Sequence, residues 1–551
     1  MWFTTFVSSG APATVASAFA RALKAAGVRR VYGLPGEDHL RLLDALSSEG
    51  ITYIGAREET AAALMAATEA QSSGVPGVVL VTIAPGLTNT INAIAHAWLD
   101  HVPLLVVCGQ HAPERAPVIV RQGLDNHRLV DSITKWTTTA SSRIHQVLAR
   151  ALETALAPPA GPVLFELRDD VAAAAPSDAL QDWPVLQTRA LSRRIGGPAQ
   201  EEAIPPEVRS LVAGAARPCV VVGGSCPTDA PTRKAIRALA ETLQAPVFCS
   251  PSALGLLTPE DPRFAGTFLN GNLEADVLGR SDLIFSLGLD AKDFFNAAWR
   301  YSAPLLAMNE RPDIQRFAPT RHQLLGETAA LLEALTSEAC PSRWTPGDVA
   351  AYRESVEATF VGDDGAFTIP QALRLARSLL SPETLVAVDA GFGKPITSYL
   401  WSAPLPNQYF TAHGLSTMGY ALPAANALQL AYPEVPVVAF MGDGSLLMRA
   451  SELSVAAEHG IAPIWVAWMD RALAQIETKQ LRQGLKPVGA RLPAVSCARI
   501  AEAFGVCGVD VDSVTDFGAA VEGALGRKQA TLIGARVDQS RRAEWYELLR
   551  G

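Results

Sequence analysis

The chain has 551 residues, 49% of them hydrophobic, with 46 Lys and Arg against 55 Asp and Glu for a net charge of −9. That length and apolar content predict two to four ordinary domains. No basic cluster marks a nucleic-acid partner, and no apolar run approaches the ~18 residues that would suggest a membrane helix.

Met1–Ala26 carries no positive charge before Arg21, so no secretory leader is expected. The seven cysteines (Cys108, Cys219, Cys226, Cys249, Cys340, Cys497 and Cys507) show no Cys-x-x-Cys and no metal-ligand spacing. They read as reduced thiols of a cytoplasmic protein.

In chain order, Ala13 to Ala26 has the spacing of an amphipathic helix and Val28 to Gly33 that of a strand. Gly33-Leu34-Pro35-Gly36-Glu37 is a turn leading into a helix over His39–Leu46. Ile51–Ile54 is a strand, Glu58–Ala70 an Ala-rich helix and Gly77–Thr82 a third strand. Ala84-Pro85-Gly86-Leu87-Thr88-Asn89 opens the next helix, and Pro103–Cys108 is a fourth strand. The segment closes near Val163–Leu167, before a Pro- and Ala-rich stretch, Ala172–Pro198, with the composition of a linker. Strands alternating with helices mean an α/β fold with a mainly parallel sheet.

A second segment begins near Pro205, with strands at Pro218–Val222, Leu283–Leu287 and Leu305–Met308. It reads as a smaller Rossmann-like domain. Gly223-Gly224 after its first strand is a turn, and the full Gly-x-Gly-x-x-Gly fingerprint is absent. A polar, Pro-containing linker is expected from Cys340 to Asp364. The third segment starts with a helix over Ile369–Leu380 and a strand, Leu385–Val388, that runs into Asp389-Ala390-Gly391. A glycine-containing loop, His413–Gly419, precedes a helix over Ala421–Ala431, and Thr531–Val537 is the last strand. The first and third segments share a layout, as a duplicated fold would. The domains are placed at 1–180, 190–345 and 365–551.

The most informative stretch is Gly442-Asp443-Gly444-Ser445. It follows a buried strand, Val437–Met441, and precedes a helix over Leu446–His459 and a second strand, Ile461–Trp468, that ends at Met469-Asp470. Neighbouring strands thus bring Asp443 and Asp470 to the carboxyl edge of a sheet, where α/β folds bind ligands. Two carboxylates, a glycine turn with exposed N–H groups and a helix start suit a hard cation bridged to a phosphate.

This constellation resembles the diphosphate- and magnesium-binding motif of thiamine-diphosphate (ThDP) enzymes. With the other segments it resembles the acetolactate synthase, pyruvate decarboxylase and benzaldehyde lyase superfamily over nearly the whole chain. Arg57-Glu58-Glu59-Thr60-Ala61-Ala62 is similar to the His-Glu-x-x-Ala stretch of that family, and Ala84–Asn89 to its Gly-Pro-Gly-x-x-Asn turn. Asp125–Trp136 resembles the matching segment of benzaldehyde lyase. Two positions depart from the pattern: Glu58 where His is usual, and Asp470 where Asn is usual.

The resemblance implies three open-sheet domains (pyrimidine-binding, central, diphosphate-binding) and a set of site residues. Asp443 and Asp470, with the Ala472 carbonyl, would hold Mg²⁺. Gly442, Gly444 and Ser445 would line the diphosphate, and Ala390, Gly391, Ser416, Pro35 and Asn89 the rest of the cofactor. Met418 is read either as the apolar wedge that bends the cofactor or as an ordinary core methionine. Glu59 would be the catalytic glutamate: a carboxylate on N1′ of the aminopyrimidine lets the 4′ nitrogen take the C2 proton at close range.

On the substrate side stand Glu37, otherwise a helix-start carboxylate stabilised by the dipole, and Gln122. His111 and His127 are the loop histidines nearby, and His413 either covers the cofactor or begins a turn. An adjacent His-His pair, as in pyruvate decarboxylases, is absent.

The family further implies a homodimer or tetramer, with Glu59 serving the cofactor held by a partner subunit. The expected activity is acetolactate synthase-like chemistry on a 2-oxo acid through a C2 carbanion. The alternatives are benzaldehyde lyase-like cleavage of a 2-hydroxy ketone, nucleotide use in the central domain, or a non-catalytic descendant of the fold. Flavin adenine dinucleotide (FAD) in the central domain is left open.

Overall fold

A computed structural model of the chain describes residues 13–112, 114, 118, 121–178, 204–294, 298–310, 318–361 and 366–550. Two compact units emerge, 1–195 and 196–551. The first holds one six-stranded sheet and the second holds two.

The first sheet is built from β1 (Arg30–Gly33), β2 (Thr52–Gly55), β3 (Gly77–Val81), β4 (Leu104–Cys108), β5 (Trp136–Thr139) and β6 (Pro162–Glu166). Its strands lie in the order β2-β1-β3-β4-β6-β5, all parallel.

In the second unit one sheet contains β7 (Pro218–Val222), β8 (Val247–Cys249), β9 (Phe264–Thr267), β10 (Leu283–Leu287), β11 (Leu305–Asn309) and β12 (Thr320–Leu325). The order β12-β11-β10-β7-β8-β9 is that of the dinucleotide-binding folds. The other sheet contains β13 (Leu385–Val388), β14 (Tyr409–Thr411), β15 (Val437–Gly442), β16 (Ile464–Trp468), β17 (Cys507–Val511) and β18 (Thr531–Ala535), in the order β14-β13-β15-β16-β18-β17. Written by position in the chain, this repeats the order of the first sheet, as the similar layout of the two segments led one to expect.

Parallel strands covered by helices on both faces carry apolar residues on both sides. Accordingly, Val437–Met441 and all of Ile464–Trp468 are buried. Each such Val, Ile or Phe contributes about 1.5–3 kcal/mol over an exposed one. Strand β16 starts at Ile464 rather than Ile461 because Pro463, with no N–H, cannot donate to the ladder.

Several expectations are corrected. The predicted linker from Cys340 to Asp364 contains a helix, Pro346–Thr359. Its start signal is a capping box: Thr345 Oγ1 accepts from the Asp348 N–H, and an Asp348 carboxylate oxygen accepts from the Thr345 N–H. The polar composition concealed it because the helix buries few side chains, Val349 and Tyr352. The helix expected over Leu446–His459 begins at Asp443, breaks after Arg449 into a 3₁₀ turn over Ala450–Glu452, and resumes at Leu453. At the break the Asn426 side chain donates to the Glu452 carbonyl. The helix expected from His39 begins at Leu40, after a 3₁₀ turn over Glu37–His39.

The stretch Ala172–Pro198 opens with the end of a helix, Asp169–Ala173, and lies outside the described residues from 179 onward. Among the described residues no helix is long and apolar enough to cross a membrane.

The helix at Pro346–Thr359 gives a direct test. Thr345→Ala removes the cap and is expected to cost about 1 kcal/mol, read as a lower urea midpoint with an unchanged slope.

Candidate active site

In the third sheet, β13, β15 and β16 are adjacent, with Val388 opposite Phe440 and Gly442 opposite Trp468. All run in the same direction, so their carboxyl ends share one edge. The order places a topological switch point between β13 and β15, where such sheets bind ligands. A cavity of about 660 Å³ opens there. Ala390, Gly391, Ser416, Met418, Gly442, Asp443, Gly444, Ser445, Asp470 and Ala472 all line it. Every site residue that the sequence nominated on this unit is therefore brought to one cavity.

Two carboxylates dominate its electrostatics. Asp443 is buried and accepts from the Gly444 N–H at 2.8 Å and the Arg471 N–H at 2.7 Å. Arg471 has a left-handed φ of 58°. Burial raises the Asp443 carboxyl and the backbone donors pull it back. Asp470 has less help: the Ala472 N–H lies 3.3 Å from Oδ1, and an Arg542 nitrogen 3.6 Å from Oδ2. Burial first, and then the charge of Asp443, push it up to about 7.

A buried acid beside a half-buried, poorly compensated one fits a divalent cation, which would favour the ionised form of both. Among the described residues no group of three or more His, Cys, Asp and Glu is placed to hold a metal ion. The residues that would hold such an ion are Asp443 and Asp470, with the Ala472 carbonyl. Room for a ligand is present, since a Cβ at Gly391 or Gly442 would meet nothing within 4 Å. The chain fits the group.

Sequence reading missed Asp389, the acid that organises the cavity wall. It is buried at the end of β13 and accepts from the Gly419 N–H (3.0 Å), the Ala421 N–H (2.9 Å) and Ser445 Oγ (2.8 Å). One carboxylate thus joins the strand leading to Ala390-Gly391, the loop bearing Ser416 and Met418, and the turn bearing Ser445. Burial outweighs these donors and pushes it up to about 6. The available signal was an acid immediately after a buried strand, next to a strand whose end is followed by Asp443.

Trp468 was missed as well. It stacks on Phe440 with ring centroids 5.5 Å apart, and both line the cavity. Gly393 must be glycine here, because a Cβ would stand 2.9 Å from Trp468 Nε1. Ser416 is exposed with φ 53°, a strained choice for a non-glycine residue and one that recurs at functional loops. Met418 Cε lies 3.6 Å from where a Gly444 Cβ would be, so its methyl sits beside the glycine turn. His413 also lines the cavity.

The glycine turn after β7 is occupied by the chain itself. Asp293 accepts from the Gly224 N–H at 3.1 Å and the Asp290 N–H at 2.9 Å, and burial pushes it up to about 6.

In the first unit, Glu59 is the first residue of the helix Glu59–Ser73 and is only 6% exposed. Asn89 Nδ2 donates to its Oε2 at 2.9 Å. The neighbouring Glu58 carboxylate caps the same helix, accepting from the Thr60 N–H (3.0 Å) and the Ala61 N–H (2.8 Å). Tyr53 has a buried hydroxyl with no hydrogen bond, and its pKa is raised by burial and by the charge of Glu59.

Ala84, at the start of the Pro85–Leu99 helix, has φ 53°. Pro35 and Glu37 are exposed on the turn after β1, while neighbouring Asp38 is tied to Thr82 Oγ1 and the Ile83 N–H. Gln122 is exposed, with φ 60°. His111 Nε2 lies 3.1 Å from the Arg121 carbonyl, and His127 is held by buried Glu166 at 2.8 Å. The structure thus joins Glu59 to Asn89 and shows no bond from either to Glu37 or Gln122.

The raised Asp389 predicts a pH dependence. An acid whose folded pKa lies above its unfolded value stabilises the fold most at low pH, and that contribution is lost as pH rises from about 4 to about 6. The loss is on the order of 2–3 kcal/mol for such a shift. Urea midpoints of the metal-free protein should therefore fall less steeply over this range in Asp389→Asn than in the unmodified chain.

Comparison with known proteins places the chain in a family. Three family descriptions match in order: the N-terminal TPP binding domain of thiamine pyrophosphate enzymes over residues 13–130, the central domain over 207–335 and the C-terminal TPP binding domain over 390–535. A probable 2-ketoarginine decarboxylase (AruI) of Pseudomonas aeruginosa is 30% identical over 544 residues, covering 95% of this chain and 94% of that protein. The large subunit of acetolactate synthase isozyme 1 of Escherichia coli is 26% identical, covering 94% and 92%. A thiamine diphosphate-dependent 4-hydroxybenzoylformate decarboxylase of Rhodococcus jostii shares the fold, with a TM-score of 0.79 at 23% identity over 96% of this chain and 99% of that one. The chain belongs to the thiamine pyrophosphate-dependent enzymes.

Proposed function

We propose that this enzyme uses thiamine diphosphate and Mg²⁺ to cleave the C–C bond beside the carbonyl of a 2-oxo acid, releasing CO₂ and protonating the acyl fragment or transferring it to an acceptor. The observation that carries this reading is the pair of acids, buried Asp443 and half-buried, poorly compensated Asp470, in a cavity lined by every nominated residue of their unit. Asp443, Asp470 and the Ala472 carbonyl hold the metal. Gly442, Gly444 and Ser445 line the diphosphate. Ala390, Gly391, Ser416 and Met418 shape the rest.

When bound, thiamine diphosphate supplies a carbon nucleophile that also stores the electron pair left by the departing CO₂. The protein itself holds protons and excludes water. Asn89 takes Oε2 of Glu59, which leaves Oε1 to exchange a proton with a weakly basic ring nitrogen. Met418 and the Phe440–Trp468 stack keep the cavity apolar beside the reacting centre, where loss of a carboxylate is favoured by desolvation. Glu37 and Gln122 serve the substrate, and Pro35 lies beside the cofactor.

Glu59 and Asn89 act on the cofactor of a second copy, so the enzyme is a homodimer or tetramer and works in the cytoplasm. The domain division is 1–180, 190–345 and 365–551. The carboxylate of Asp293 on the Gly224 N–H opposes a dinucleotide phosphate at that turn, so FAD has no role in this reading.

Acetolactate synthase-like carboligation with pyruvate as donor is the first reading. Simple decarboxylation is the second, favoured by the relative named for 2-ketoarginine decarboxylation, which is 30% identical.

The test is CO₂ release from pyruvate with ThDP and Mg²⁺. Glu59→Gln should lower the rate at least ~100-fold while ThDP still binds, and Asp443→Ala should abolish ThDP binding. Acetolactate as product selects the first reading and acetaldehyde the second. A wild-type protein that binds no ThDP refutes both.

A further inference from the structure

We propose that Arg542 is the charge partner that allows an aspartate to stand at position 470, and that it couples the last helix of the chain to the metal loop. The inference rests on the reading of Asp470 as a metal ligand.

Arg542 opens the helix Arg542–Arg550. Its Nη2 donates to Glu477 Oε2 at 2.8 Å. Its Nη1 is buried, makes no hydrogen bond and lies 3.6 Å from Asp470 Oδ2. That distance is too long for a hydrogen bond yet well within Coulombic reach. The guanidinium therefore offsets the charge of Asp470 without occupying the oxygen, which remains open to a cation.

The surrounding charges are accounted for. Glu477 is 4% exposed and also accepts from Arg491 at 3.0 Å, but the Arg491 side chain is 77% exposed and well hydrated. Asp443 is served by backbone N–H groups. Arg542 therefore faces two acids directly, buried Glu477 and half-buried Asp470.

The helix is fixed independently. Trp545 is buried and donates to the Thr359 carbonyl, and Arg482 pairs with Glu547 and lies over the Tyr546 ring. Arg542 is thus pre-placed and loses little side-chain freedom on pairing. Asparagine at position 470, the usual residue in the superfamily, would leave this second contact of Arg542 without a charge to offset. The arginine and the aspartate form one device.

The test is a double-mutant cycle on the full-length protein with Arg542→Gln and Asp470→Asn. In metal-free protein, thermal melting should show Arg542→Gln to be destabilising, with Asp470→Asn restoring most of the loss. Additive shifts would overturn the proposal. In calorimetric titrations with MgCl₂ in the presence of ThDP, Arg542→Gln should bind Mg²⁺ roughly tenfold tighter, because a positive charge has left the site. Weaker binding would overturn it.

Arg542→Lys, which keeps the charge, should retain the wild-type affinity and guards against an unfolded glutamine variant. A comparable tightening in the lysine variant would refute the charge role. If the wild type binds no Mg²⁺, the metal reading beneath the proposal falls. That failure is separable, because the melting cycle contains no metal.

Discussion

A parallel sheet delivers all its strands to one edge, and in the third sheet three successive neighbours, β13, β15 and β16, are each followed within two residues by an aspartate. Like charges gathered in a half-buried cleft are costly, and the site is organised around how each is compensated. Asp389 receives three protein donors and becomes a strut. Asp443 receives two short backbone bonds. Asp470 receives one long bond and a distant guanidinium, and shows the largest upward shift of the three. The gradient of satisfaction runs from Asp389, the most fully bonded, to Asp470, the least.

The same logic separates the adjacent pair Glu58 and Glu59. Glu58 commits both oxygens to the first N–H groups of its helix, which any long acid at that position would tend to do. Glu59, one residue on, is rotated inward and keeps a single side-chain donor, Asn89. The departure from histidine at position 58 thus leaves Glu58 tied to its own helix and Glu59 bonded to Asn89.

The central strands of all three sheets were legible in the sequence because parallel strands are uniformly apolar, as at Val437–Met441 and Ile464–Trp468. Of the edge strands, the one at Ile51–Ile54 was legible, but others were not. Thr320–Leu325 and Cys507–Val511 are half exposed and have no such signature. The helix at Pro346–Thr359 was hidden by its polarity, although Thr345 and Asp348 announce its start. The acids that follow a glycine turn could be named from spacing, whereas Asp389 and Arg542 could not. Their roles depend on partners 30 to 72 positions away in the chain, Gly419, Ala421, Ser445 and Asp470, which only the folded sheet brings near.

The first and third sheets repeat one strand order while carrying different residues at their carboxyl edges. On the proposed function, the first edge would carry the glutamate that exchanges a proton, Glu59, and the third the aspartates that hold the cation, Asp443 and Asp470. Neither half is a spare for the other. The shared strand order alone therefore does not assign a role to either edge; the residues at its carboxyl end do.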